Sequence, residues 1–188
     1  MHMNWKAILK GFKAYLILER SLSDNTVEAY LNDLNKLVAY FEMKERSIKP
    51  AEVQLADLQE FLKWIYQIGL SARSQARLIS ALKTFYKYLL LEDMVSDDPT
   101  ELLDAPRLSR KIPEVLSYEE IQAMLDAIDL STPHGTRNRA MLETLYACGL
   151  RVSELTELRL TNLFLDVGFV KVIGKGDKER IIPIGDSA

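Results

Sequence analysis
A chain of 188 residues is long enough for one large domain or two small ones, and with 48% hydrophobic residues it can fill a core. No stretch reaches the roughly eighteen consecutive apolar residues of a membrane span, and no signal-peptide pattern precedes the first helical run. The lone Cys148 has no internal disulfide partner, which fits a reducing, cytoplasmic setting, and one cysteine with two histidines makes a poor structural zinc site. A net charge of −3 argues at face value against nucleic acid, but for DNA the distribution of charge matters more than its sum.

The first hundred residues read as helices. Trp5, Ile8, Leu9, Phe12, Tyr15 and Leu16 recur at helical spacing. Ser23 or Asn25 caps a second helix with Val27, Tyr30, Leu31, Leu34, Leu37, Val38 and Phe41 on one stripe. A third carries Leu58, Phe61, Leu62, Ile65 and Tyr66 and stops at Gly69. Ser71 caps a fourth, with Leu78, Leu82, Phe85 and Leu89 inward. Asp98 and Pro99 open a short fifth helix, proline standing where a missing N–H costs nothing. The aromatic residues fall on these stripes as core, not as platforms for stacked bases.

Charge is segregated along this part of the chain. Between Ser71 and Leu91 stand Arg73, Arg77, Lys83 and Lys87 with no acid, whereas Glu92 to Asp104 carries six acids and no base. With the fourth helix's apolar residues inward, Arg73, Ser74 and Arg77 fall near the opposite side of its first turns. Free backbone N–H groups at a helix start also suit phosphate. Residues 105–113, with two prolines, three bases and no period, have the composition of a linker. Domain limits are therefore set at 1–106 and 115–188, joined by 107–114.

Beyond the linker, Ser117 and Glu120 form a capping box before a helix with Ile121, Met124, Leu125 and Ile128. Thr136 to Cys148 forms the next, apolar on one stripe, with Arg137 and Arg139 free to meet phosphate or nearby acids. Gly149 ends that helix, and Ser153 is placed as the N-cap of the run that follows. Phe169–Ile173 and Arg180–Ile184 are β-branched and apolar, and the charged, glycine-rich residues 174–179 between them make a hairpin tip. Arg151 thus follows a helix stop, and Lys175 sits between two glycines at the tip. An arginine offers a planar fork for two phosphate oxygens, and a lysine offers one proton for a departing oxygen. Met singly, each is commonly a solvated charge; together they fit a phosphodiester.

The pattern G-L-R-V-S-E-L followed by V-I-G-K-G-D-K-E-R-I-I-P-I resembles the catalytic domain of tyrosine recombinases, notably the Xer type that resolves chromosome dimers. The resemblance extends upstream through L-S-D-N-T-V-E-A-Y-L-N-D-L, S-A-R-S-Q-A-R-L-I-S-A-L-K-T-F-Y-K-Y-L and R-N-R-A-M-L-E-T-L-Y. It implies a mainly α chain: a helical, SAM-like N-terminal DNA-binding domain, then the first part of an α+β catalytic domain with a β-hairpin. It makes Arg73, Ser74, Arg77 and Lys83 DNA contacts, with Thr26 at the start of the second helix as a further candidate. It makes Arg151 one of two arginines on the scissile phosphate, Lys175 the general acid for the 5′ oxygen, and Glu154 the acid that orients Arg151. Lys178 and Arg180 are runners-up for Lys175. The implied partners are double-stranded DNA and further recombinase subunits, in a tetramer on two duplexes. A tyrosine that forms a 3′-phosphotyrosyl link conserves the bond energy, so no metal or nucleotide cofactor is implied.

The family chemistry also calls for an H-x-x-R motif and a nucleophilic tyrosine after the hairpin. Neither His2 nor His134 begins such a motif, and none of the eight tyrosines follows the hairpin. These 188 residues are therefore expected to correspond to the front two-thirds of a recombinase and to bind DNA without cutting it. A phage or mobile-element integrase is the alternative within the family, disfavoured by the lack of an extra N-terminal arm-binding domain. A purely DNA-binding or regulatory protein is the alternative outside catalysis. A nucleotide-binding loop at Gly174–Gly176 is not supported, since G-x-x-x-x-G-K-[ST] is missing.

Overall fold
A computed structural model describes residues 4–108, 113–174, 176 and 178–185. The chain divides into two compact units, Met1–Lys111 and Ile112–Ala188.

Among the described residues four α-helices build the first unit: α1 (Trp5–Leu18), α2 (Asp24–Met43), α3 (Leu55–Gln67) and α4 (Ala72–Leu91). Phe12, Leu16, Leu34, Leu37, Phe41, Leu58, Phe61, Ile65, Leu78, Leu82, Phe85, Tyr86 and Leu89 share one core. Each large apolar side chain buried there contributes about 1.5–3 kcal/mol. Rings meet edge to face at its centre, Phe12 on Phe85 at 5.2 Å and Phe85 on Tyr86 at 5.4 Å between centroids. The Tyr86 hydroxyl, deeply buried, donates to the Pro50 carbonyl at 3.1 Å, which satisfies the one polar atom of that ring.

The capping residues explain the helix starts. Ser71 Oγ accepts from the Ser74 N–H at 3.3 Å at the head of α4. Ser23, not Asn25, precedes α2, and its hydroxyl meets that of Thr26 at 3.0 Å. Two readings of this unit are corrected. Tyr66 is 72% exposed and not part of the core stripe of α3, because Leu58, Phe61 and Ile65 already fill the inward face. The short helix expected from Asp98 is a turn instead: the Asp98 carboxylate accepts from Thr100 N and Oγ1 at 2.7 and 2.6 Å and closes it.

In the second unit α5 (Tyr118–Asp126) opens on the expected box, Ser117 Oγ accepting from Glu120 N at 3.2 Å and the Glu120 carboxylate from Ser117 N at 2.8 Å. The next helix, α6 (Pro133–Cys148), starts three residues earlier than the sequence reading: Thr132 Oγ1 caps the Gly135 N–H and Pro133 takes the first position. Its apolar residues do not form one buried stripe. Gly135 and Cys148 are its buried residues, and Met141 and Tyr146 lie exposed.

Gly149 adopts φ +56° and turns the chain into α7 (Val152–Thr156). Three antiparallel strands follow in the order β1 (Leu163–Phe164), β2 (Phe169–Ile173) and β3 (Glu179–Pro183). Strand β3 begins one residue before the expected stretch and ends at Pro183, one residue short of Ile184. Alternation on β2 sends Val170 and Val172 inward against Cys148 and Leu150. Phe164 stacks across the β1–β2 pair on Phe169, centroids 4.6 Å apart. The helix stop and the hairpin are thus locked into one small core, which fixes the positions of Arg151 and of the hairpin base.

An L-residue in the left-handed conformation costs about 1–2 kcal/mol. Gly149→Ala meets no atom within 4 Å, so backbone strain alone should lower the unfolding free energy by about that amount. Gly149→Asn should lose less. Urea unfolding of the three proteins, followed by circular dichroism, measures the difference.

Candidate phosphate site and DNA-facing helix
Arg151 occupies the N-cap position of α7, with extended backbone at φ −76° and ψ 154°. Ser153, placed as the cap by the sequence reading, lies inside the helix instead. The capping acceptor is Glu154, whose Oε2 takes the Arg151 N–H at 2.7 Å. The same carboxylate does more. Its Oε1 accepts from Arg151 Nη1 at 2.8 Å and from Arg180 Nη1 at 2.6 Å, and its Oε2 accepts from Arg180 Nη2 at 2.8 Å. Glu154 is 4% exposed, so this is a buried carboxylate between two guanidinium groups.

The two arginines are held differently. Arg180 meets the carboxylate fork to fork. Arg151 gives it one side-chain nitrogen, and among the described residues its Nε and Nη2 have no hydrogen-bond partner. Its side chain remains 68% exposed. One carboxylate for two guanidinium groups leaves a net positive charge, and the open edge of Arg151 offers the geometry a phosphate matches. The donors also fix the protonation of the acid: hydrogen bonds from Arg180 first, then from the Arg151 backbone, hold the Glu154 carboxyl at about 2. Arg180 is pushed up in turn by the Glu154 carboxylate.

The hairpin closes directly over this pair. Gly174 N donates to Lys178 O at 2.8 Å, and a methyl group added at Gly174 would stand 3.2 Å from Glu154 Oε1 and 3.3 Å from Arg180 Nη1. Glycine lets the strand end approach the ion pair. Arg180, a runner-up for the general acid on sequence grounds, is therefore occupied as the partner of Glu154. Lys178 is exposed at the hairpin. Lys175 lies outside the described residues. Arg137 donates to Asn138 Oδ1 at 3.0 Å, and Arg139 pairs with Glu143 at 3.0 Å. Among the described residues no group of three His, Cys, Asp or Glu side chains is placed to hold a metal, and no helix is long and apolar enough to cross a membrane.

In the first unit, Arg73 and Lys83 are exposed on α4, and Ser74 sits at its head, its hydroxyl accepting from Ser71 Oγ at 3.1 Å. Arg77 is not a free charge. Its Nε and Nη2 donate to Asp33 Oδ2 and Oδ1 at 2.8 and 3.2 Å. Asp33, on α2, is fully buried and also accepts from Lys36 Nζ at 2.8 Å. The Asp33 carboxylate pushes the Arg77 guanidinium above its ordinary value. Thr26 and Asp33 are seven residues apart and so share a side of α2, which this ion pair joins to α4.

Sequence reasoning missed Asp33 and Lys36. One signal was present, since an acid three residues after Tyr30 and four before Leu37 falls on the apolar stripe, where a carboxylate needs a cationic partner.

One unit is helical with basic side chains at the head of one helix, and the other is a small α+β unit with an open arginine edge. Residues 9–93 match the N-terminal SAM-like domain of phage integrases, and residues 114–188 match the phage integrase family. The chain belongs to this family, the tyrosine recombinases of Xer type.

It is 45% identical over 187 residues to tyrosine recombinase XerD of Chlorobaculum tepidum, covering 98% of this chain and 61% of that protein. It is 41% identical over 181 residues to tyrosine recombinase XerD of Listeria monocytogenes, covering 96% of this chain and 61% of that protein. Among solved structures, a lambda integrase (75–356) dimer bound to a COC′ core site shares the fold, with a TM-score of 0.71 at 18% identity over 96% of this chain and 62% of that one. The chain thus spans about three-fifths of the length of the curated relatives it matches.

Glu154 gives the site a defined pH response. Its carboxyl is held at about 2 in the fold against an ordinary 4.5, so its pairing stabilises fully above 4.5 and is lost as pH falls toward 2. Glu154→Gln removes the charge at every pH. The stability gap between parent and variant should be constant from neutral pH down to about 4.5 and shrink below it. Urea titrations across that range test this; a gap that stays constant to low pH would show that the two arginines do not depend on the ionised acid.

Proposed function
We propose that this chain is the DNA-binding and phosphate-gripping part of a site-specific recombinase that cleaves and rejoins strands through a 3′-phosphotyrosine, of the kind that resolves chromosome dimers. The observation that carries the reading is the Arg151–Glu154–Arg180 cluster: a buried carboxylate holds one arginine by one nitrogen and leaves its remaining edge open. In this reading Arg151 binds the nonbridging oxygens of the scissile phosphate, Glu154 aims it, and Lys175 protonates the departing 5′ oxygen. Arg73, Ser74, Arg77, Lys83 and Thr26 contact the duplex. Kinship with XerD proteins favours a Xer role over a phage or mobile-element integrase. The lambda integrase structures, a dimer bound to a core site and a tetramer bound to a Holliday junction, favour DNA and further recombinase subunits as the partners in this proposal, four of them on two duplexes.

The 188-residue polypeptide itself binds DNA and does not cut it. Tyr118 and Tyr146, whose rings stand 6.4 Å apart between α5 and α6, pack against each other and are not nucleophiles in this proposal. Incubated with a nicked duplex carrying the target site, it should give no covalent adduct on a denaturing gel. An adduct mapped to Tyr146 would overturn the assignment. Binding should weaken as salt rises, and replacing Arg73 and Arg77 together by alanine should weaken it further and flatten the salt slope by up to about 0.9 per lost phosphate contact. A double variant that follows the parent throughout would remove α4 from the interface.

The role of Lys175 is tested in a protein that also carries the H-x-x-R motif and the tyrosine. General acid help is worth about 10²–10⁴-fold, so Lys175→Ala should lose about that much cleavage rate while DNA affinity stays near the parent's. A 5′-bridging sulfur leaves as a thiolate, with a pKa of about 8.5 for its conjugate acid, and needs little protonation. That substrate should restore Lys175→Ala and fail to restore Arg151→Ala. Equal failure of Lys175→Ala on both substrates would make the lysine a DNA contact alone, and rescue in Lys178→Ala would move the acid along the hairpin.

A further inference from the structure
Asp33, on α2, is bound by cations from both α2 and α4. It is fully buried, and two cations converge on it: Arg77 from α4 by two hydrogen bonds, and Lys36 from α2 by one. A core whose only purpose was packing would be served as well by an apolar residue, since a buried ion pair is seldom more stabilising than a hydrophobic replacement. What the arrangement does provide is orientation. The two oxygens of Asp33 engage Nε and Nη2 of Arg77, which fixes the guanidinium plane and leaves Nη1 without a partner among the described residues. Lys36 is held within 2.8 Å of the same carboxylate, and both cationic side chains stay partly open to solvent, 45% for Arg77 and 36% for Lys36. Two positive charges against one negative leave this spot positive, and Arg73 lies one helical turn before Arg77 on the same side of α4.

We propose that Asp33 is a positioning residue that sets Arg77 and Lys36 as a paired grip on the DNA backbone, which makes Lys36 a phosphate contact in its own right. The inference rests on the reading of the first unit as a DNA-binding domain. The side chains of the pair come from different helices, so the grip also ties the spacing of α2 and α4 to the spacing of the phosphates they meet.

The sign of one substitution separates this role from plain surface charge. Asp33→Asn removes a negative charge and makes the unit more basic. If charge alone governed binding, the variant would bind duplex DNA more tightly. If Asp33 positions the cations, it binds more weakly, by about tenfold, the size of one charge-assisted hydrogen bond. Fluorescence anisotropy of the full chain on a labelled duplex of arbitrary sequence, across a salt titration, reads both affinity and slope. Lys36→Met should flatten the salt slope by about 0.9. Arg77→Lys keeps the charge but cannot span both oxygens of Asp33, and should lose affinity although its charge is that of the parent.

Circular dichroism checks that each variant is folded at the assay temperature. Should Asp33→Asn fail that check, Lys36→Met and Arg77→Lys carry the decision. Tighter or unchanged binding by Asp33→Asn, or parental slope in Lys36→Met together with parental affinity in Arg77→Lys, overturns the inference while leaving the DNA-binding reading intact. A parent chain that does not bind the duplex at all overturns both.

Discussion
The interaction on which the second unit depends is the buried carboxylate of Glu154 between two guanidinium groups. A carboxylate taken out of water is costly unless every lone pair finds a strong donor. Here the backbone N–H of Arg151, one nitrogen of Arg151 and two of Arg180 supply four donors. Removing one would leave the charge undersatisfied, so the three residues hold one another in place. The consequence is geometric: a helix start and a hairpin strand, 26 residues apart in the chain, are fastened at a single carboxylate. The base of the hairpin, at Gly174 and Arg180, is thereby registered against Arg151.

The same device appears in the first unit with different parts. Asp33 stands to Arg77 and Lys36 as Glu154 stands to Arg180 and Arg151: one buried acid, two cations, and a fraction of cationic surface left facing water. In both cases the acid lies on the cationic side of the account only indirectly. It lowers the total charge yet determines where the remaining positive charge points. A chain with a net charge of −3 can present directed positive patches in this way, because acids that are buried under arginines do not repel phosphate as exposed ones would.

The hydrophobic periods and helix punctuation were plain in the sequence. Phe12, Leu34, Phe61 and Phe85 fall where their spacing places them, Ser71 and Ser117 cap where expected, and Gly149 turns left-handed. These are local properties, set within one or two turns of helix. The contact of Glu154 with Arg151, which the family resemblance implied, likewise spans only three residues. The failures share the opposite cause. Arg180 was read as a runner-up general acid because its partner, on α7, lies 26 residues earlier in the chain, and Arg77 as a free cation because Asp33 is 44 residues away. Ser153 was preferred as a cap on residue type, but a glutamate at the third helical position captured the N–H of Arg151 first. Asp98 and Pro99 carry helix-start chemistry, yet Thr100 satisfies the aspartate within a turn before a helix can propagate.

Rigidity and openness are divided within each cluster, and that division bears on how such a site would work. Arg180, bound at two nitrogens, has little freedom left to reorient, whereas Arg151 is restrained at its backbone and at one nitrogen. A guanidinium restrained in this way loses less side-chain entropy on meeting a phosphate than a free one would, since part of its rotamer freedom is already gone in the folded protein. Gly174 completes the arrangement by leaving room beside the pair, where an added methyl group would stand 3.2 Å from Glu154 Oε1 and crowd the carboxylate. The acid therefore converts two flexible cations, one from a helix start and one from a strand, into a single prearranged surface.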